Sequence, residues 1–248
     1  MQVDAANNNY GVFLLNDSFN SKLLESEIQI KKIEKNKYSY SRVSKEICFN
    51  KIFTSKLDKI SIEIAPILPQ NIPDKITPYT MLKFDQILQI EKQSKIKFDV
   101  IIPVEVGVFA SLEERHSLIE CFSLDPLTSR YGMYGSPDQG ILCKCFRTSL
   151  KKEKQEPLVN SKISINFENE TDEDISISKL VFLSTNHDIF YNSDDVIVDG
   201  INCIIKKTLG SEFAEINSQN MQLPSTFTVS PKIDKKTSEQ FIMDRGFT

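Results

Sequence analysis

Apolar residues recur at every second position along most of this chain. In "KISIEIAP", Ile60, Ile62 and Ile64 share one face of an extended segment, and Lys59, Ser61 and Glu63 share the other. In "KIKFDVIIPVEVGVFA" the even positions Ile96, Phe98, Val100, Ile102, Val104, Val106 and Val108 form an unbroken apolar row. The opposite row carries Lys97, Asp99, Glu105 and Gly107. A helix would scatter the apolar row around its circumference, so the spacing predicts a long, half-buried strand. Proline cannot donate to a ladder, so Pro103 marks an edge position or a bulge where the strand bends between sheets.

The same period returns in "SKISINFENETDEDISISKLVFLS". Ile163, Ile165 and Phe167 lead into a polar hairpin turn, Ile175 and Ile177 resume, and the phase slips after Ser178. "DDVIVDGINCIIKK" sets Asp199-Gly200 between two β-branched runs, a hairpin signal. "EIQIKKIEKNKYSYSRV" reads as a hairpin turning near Lys35-Asn36. "YTMLKFDQILQIEKQSK" fits both periods poorly and leans to strand. Helical signals are few: "SLEERHSLIE" opens with Ser111 and Glu114 in capping-box spacing and predicts one short helix through Leu112, Arg115, His116 and Ile119.

The expected fold is all-β: two packed antiparallel β-sandwich-like halves with at most one or two short helices. Residues 1–124 make the first half. Residues 125–231 make the second, with a glycine-rich turn at its start, and residues 232–248 lose alternation and read as a flexible tail. The proline-rich "APILPQNIPDKITP" is expected to be loop or edge, and "SLKKEKQEPLVN" a charged connector.

The order of these features resembles a known family. A "YG" near the start precedes "ISIEIAPILP" and "FDVIIPVEVGV"; then come "CFSLDPLTSRYGMYGSPDQGILCKCF" and "SKISINFENETDEDISISKLVF". From Tyr10 to Ile233 the chain resembles the archaeal family catalogued as domain of unknown function 432. The resemblance implies an archaeal origin and a β-rich fold. It transfers no catalytic residue, because the family has no assigned activity.

Composition narrows the function more than the fold. The chain has 248 residues, enough for a full core, and no run of eighteen apolar residues, so no membrane span is expected. A net charge of -4 argues against a protein that neutralises many phosphates of a nucleic acid. The opening residues lack a basic region followed by an apolar block. Together with five scattered cysteines, an odd count, this points to reduced thiols and a cytoplasmic location.

Catalytic patterns are scarce. Only His116 and His187 are present, and both read as isolated structural or surface residues. There is no nucleophile elbow. The glycines of "YGMYGSPDQG" are not followed by a helix, so neither a P-loop nor a dinucleotide loop is supported. Cys143 and Cys145 share a strand face but lack partners at zinc spacing and read as small buried hydrophobes on a central strand. Glu63 and Glu105 lie opposite apolar rows and read as solvated-face residues, while Asp125 and Asp138 flank the glycine-rich turn.

The basic and aromatic residues around that turn are the best surface candidate. Arg130, Tyr131, Tyr134, Asp138 and Arg147 are expected to bind a protein partner or a small anionic ligand. The function read from the sequence is therefore a binding or interaction module without catalytic activity and without a cofactor. The alternative is a carbohydrate-active or metal-assisted enzyme using Asp125, Glu105 or the Cys143/Cys145 pair.

Overall fold

The computed structural model describes residues 10–45, 47–56, 60–69, 77–112, 115–125, 130–151, 154–208, 211–221 and 223–232. The period-two pattern becomes four hydrogen-bonded sheets, and the fold is all-β. β2 (Ser18–Leu23), β3 (Ser26–Glu34), β4 (Lys37–Ser44) and β5 (Ile47–Thr54) form an antiparallel meander. Its middle turn falls at Lys35-Asn36 as expected, with Asn36 at φ 63°, a left-handed conformation that asparagine tolerates.

A second antiparallel sheet has the order β1 (Gly11–Leu15), β6 (Ile60–Ile67), β9 (Glu105–Leu112) and β10 (Arg115–Phe122). The third runs β11 (Arg130–Tyr134), β12 (Ile141–Thr148), β7 (Tyr79–Ile90), β14 (Ile175–Leu183), with β12 parallel to β7. In the fourth, β13 (Asn160–Asn169) lies between β8 (Lys95–Pro103) and a parallel β16 (Val196–Thr208). The other edge of β16 pairs with β15 (Ile189–Tyr191) and then β17 (Ser211–Gln219), and β18 (Thr228–Val229) caps β15. β7 and β8, which precede residue 124, are thus hydrogen-bonded into sheets with strands that follow it. One apolar core joins all four sheets, with Ile30, Ile62, Leu82 and Ile163 (one from each) fully buried.

The long apolar row is real, and it serves two sheets. β8 ends at Pro103, Val104 donates its N–H to the Val159 carbonyl, and β9 begins at Glu105 in another sheet. Proline permits this corner because it has no ladder bond to lose. Val100, Ile102, Val104, Val106 and Val108 remain buried across it.

Four local expectations are corrected. The described residues of the segment 111–120 are not helical: Ser111 and Leu112 close β9, Arg115 opens β10, and the two strands pair with Ser111 opposite His116. Cross-strand pairing satisfies the backbone there and outweighs the local capping signal. Asp199-Gly200 is not a hairpin turn, since β16 runs straight through it. The pair marks where β16 exchanges β15 for β17. Asp199 is buried and accepts the N–H groups of Asp188 and Met221, and Gly200 leaves room for Gln219.

"ENETDED" does turn the chain, but β13 and β14 then enter different sheets and do not form a hairpin. Asn169 organises that turn: its side-chain N–H groups reach the carbonyls of Ile90, Glu91 and Glu173, and its oxygen accepts from Thr171. The phase slip after Ser178 appears as a register shift between Ile177 and Lys179. Finally, Glu63 and Glu105 are buried, at 3% and 9% exposure, where a solvated face was expected. Two faces of those strands are covered because the neighbouring sheets pack on both sides.

Of the tail expected over residues 232–248, all but Lys232 lie outside the described residues, as does half of the proline-rich stretch, residues 70–76. Among the described residues, no helix is long and apolar enough to cross a membrane.

Candidate functional site

The stretch "RYGMYGSPDQGILCKCF" folds into the β11–β12 hairpin, and β12 is central, flanked by β11 and β7. Gly135 carries φ +102°, a backbone state that an L side chain rarely adopts. Gly132 stands opposite Cys143 because of packing: a Cβ there would come within 2.8 Å of the Cys145 Sγ and 3.4 Å of the Met81 Cε. The bare backbone lets those two side chains lie across the sheet.

Register assembles the site. Lys179 on β14 stands directly opposite Lys83 on β7, and Lys83 stands directly opposite Arg147 on β12. Three cations therefore share one face of three adjacent strands. In the next row Val181, Met81, Cys145 and Arg130 follow one another across four strands. Lys83, Arg130, Arg147 and Lys179 all line one groove of about 550 Å³. Tyr131, Asp125 and the apolar side chains of Ile101, Pro103 and Val159 complete its walls. Among the described residues, none of the four cationic side chains has a carboxylate or hydrogen-bond partner.

Elsewhere the same chain pairs opposite charges across strands. On the fourth sheet Lys95 faces Glu168 at 2.6 Å, and Lys162 reaches Asp99 at 2.8 Å. Like charges set directly opposite one another are destabilising. The third sheet's cation row therefore differs from the chain's own usage.

The five residues singled out by sequence do not gather as one patch. Arg130, Tyr131 and Arg147 line the groove. Tyr134 lines a different cleft of about 690 Å³, which runs along β14 and takes its other wall from β17. Asp138 is exposed in the hairpin turn and belongs to neither. Sequence reasoning missed Lys83 and Lys179, because nothing local distinguishes either lysine. The one available signal was the phase slip after Ser178, which sets the register that brings Lys179 opposite Lys83.

The carboxylates and thiols named for the enzyme alternative are differently placed. Glu105 accepts from the Lys144 ammonium at 3.0 Å and from the Cys121 thiol at 3.1 Å, in a buried cluster that ties β9 to β12. Burial, and then the Glu105 charge, push the Cys121 thiol well above its ordinary range. Cys143 is fully buried, and desolvation raises its thiol to about 11. Cys145 lines the groove; burial raises its thiol and Lys179 partly offsets this.

The two histidines are also corrected. His116 lies on β10, where its Nδ1 is 2.9 Å from the Ser111 Oγ and 3.1 Å from a Glu63 carboxylate oxygen. Both contacts fall on one ring nitrogen, so the trio lacks the relay geometry of a hydrolase triad. The other Glu63 oxygen accepts from the Tyr191 hydroxyl at 3.1 Å. His187 is not a surface residue: it is 7% exposed, sits edge-on to Phe182 at 5.1 Å, and its pKa is lowered, chiefly by desolvation. Among the described residues there is no cluster of three or more His, Cys, Asp or Glu side chains placed to hold a metal ion.

No curated protein and no solved structure matches this chain. A family pattern does, over residues 9–247, nearly the whole sequence. The chain therefore belongs to the family described as Protein of unknown function (DUF432).

Proposed function

We propose that this chain is a binding module that holds an anionic ligand in the groove between β12, β7 and β14. The observation that carries the reading is the row Lys179–Lys83–Arg147, set in register, with Arg130 beside it and Asp125 the one carboxylate among the described residues of the groove. Such a row costs stability in the empty protein, and an anion seated against it would relieve the repulsion. The chain as a whole carries a net charge of -4, so the groove is a local reversal of sign.

A catalytic role has less support. Glu105 is engaged by Lys144 and Cys121, and the Cys143 thiol is buried and protonated. The four cations can hold and orient an anion.

The test is thermal unfolding of the intact chain with low millimolar inorganic phosphate or pyrophosphate, against a Lys83→Gln/Arg147→Gln variant. Both residues are exposed, so the variant is expected to fold, which circular dichroism checks. Stabilisation of the native chain that the variant loses supports the reading. Equal stabilisation of both, or none of either, overturns it.

A further inference from the structure

We infer that the ligand of this groove is a diphosphate ester: two linked phosphoryl groups at one end, an apolar or planar group at the other. The inference rests on the anion-binding reading above and adds the chemical class of the ligand.

Charge is the first argument. The groove is lined by four cations and one carboxylate, that of Asp125. The excess is therefore three positive charges, from four minus one. A carboxylate or a single sulfate ester leaves most of that excess uncompensated. A phosphate monoester carries about -1.5 to -2 near neutral pH, and a second linked phosphoryl group brings the total to about -3.

Extent is the second. Adjacent strands are about 4.8 Å apart, so the Lys179–Lys83–Arg147 row covers roughly 10 Å. Arg130 stands on the edge strand, in the row reached by one two-residue step along the sheet, roughly 7 Å away. The cationic surface is elongated, which suits charge spread over two phosphoryl groups better than charge at one point. Arg130 and Arg147 add planar forks that match phosphoryl oxygens in pairs.

The remaining walls are the third. Ile101, Pro103 and Val159 are apolar, and Tyr131 presents a ring that is 41% exposed. A bare diphosphate would leave these walls wet. An ester group would cover them, and the groove, at about 550 Å³, has the capacity of a small-molecule site, for which about 300–1,000 Å³ is usual.

Isothermal titration of the intact chain with citrate, pyrophosphate, ADP and geranyl diphosphate tests this. Citrate supplies comparable charge on carboxylates, ADP a planar nucleoside and geranyl diphosphate a flexible apolar chain. The expectation is that pyrophosphate binds more tightly than citrate, and that ADP or geranyl diphosphate binds about tenfold more tightly than pyrophosphate. Whichever ester gains identifies the source of the second group. Tyr131→Ala should remove the ester's advantage over pyrophosphate, whereas Lys83→Gln/Arg147→Gln weakens every anion. Citrate binding as tightly as pyrophosphate overturns the diphosphate inference while the anion-binding reading stands. Pyrophosphate binding with no gain from either ester overturns the ester. Failure of all four ligands to bind overturns both.

Discussion

Arg42 on β4 grips Glu120 on β10 across 78 residues of sequence, with its Nε and a terminal nitrogen both on the carboxylate, the closest contact at 2.7 Å. Both side chains are 8% exposed, and the guanidinium also covers the Phe122 ring at 4.2 Å. The Tyr40 hydroxyl donates to the same carboxylate, and Lys51 donates to the Ile119 carbonyl beside it. This polar knot joins the meander to the second sheet at the bulge between Leu118 and Glu120.

Removing one member of that knot strands a buried charge. Glu120→Ala is expected to destabilise the protein by about 3–5 kcal/mol, because Arg42 loses its partner but not its burial. Tyr40→Phe should cost less, about 1–3 kcal/mol, since the carboxylate keeps its Arg42 contacts. Urea unfolding of the two variants gives the ranking, and a Glu120→Ala variant within 1 kcal/mol of the native chain, about the error of the comparison, would refute it.

The Lys144–Glu105 pair offers a test of whether charge or volume matters at the join of the second and third sheets. Lys144→Met alone leaves the Glu105 carboxylate buried beside the Cys121 thiol and should cost about 3–5 kcal/mol. The double variant Glu105→Leu/Lys144→Met removes both charges and should recover most of the loss. A double variant no more stable than the single one would show that packing, not charge, sets the penalty.

The cation row should trade stability for binding. Lys83→Gln removes the middle charge of three, so the empty protein should gain about 0.2–1 kcal/mol while losing affinity for pyrophosphate. In a chain of this length that gain raises Tm by up to about 3 °C. It should shrink as salt rises, because all three charges are exposed and screened. A loss of Tm at low salt would argue that Lys83 has a structural role.

His187 links stability to pH. Burial places its folded pKa below the unfolded value near 6.5, so the unfolded chain takes up a proton first as pH falls. Its contribution is complete above about pH 6.5 and is lost as the pH descends from there to the folded pKa. His187→Gln should flatten the fall in urea midpoint between about pH 7 and pH 5 relative to the native chain. Parallel pH profiles would show that other groups carry the slope.

Much of the architecture was legible in the alternation. Ile60, Ile62 and Ile64, and the even row from Val100 to Val108, are buried as the period required. The Lys35-Asn36 turn and the Pro103 corner could be read from residues whose backbone chemistry is special, and the slip after Ser178 from the phase of the apolar residues. The errors share a cause. Ser111/Glu114, Asp199-Gly200 and "ENETDED" are turn or cap signals, and such signals act over a few residues while strand pairing is decided over many. At Asp199-Gly200 the signal was correct in marking a discontinuity, but the discontinuity is a change of partner strand.

The candidate site divides in the same way. By itself the sequence determined which residues alternate, where the chain can bend, and that Arg130, Tyr131 and Arg147 lie near a glycine-permitted turn. Period and turn chemistry are local, and a single strand carries them. Only the tertiary structure decided that Lys83 and Lys179 join Arg147 in one row, that Tyr134 faces another cleft, and that Glu63 and Glu105 are buried. Those outcomes depend on which strands become neighbours and in what register. That choice is made by the whole core at once, because a shift in register moves every side chain on a strand.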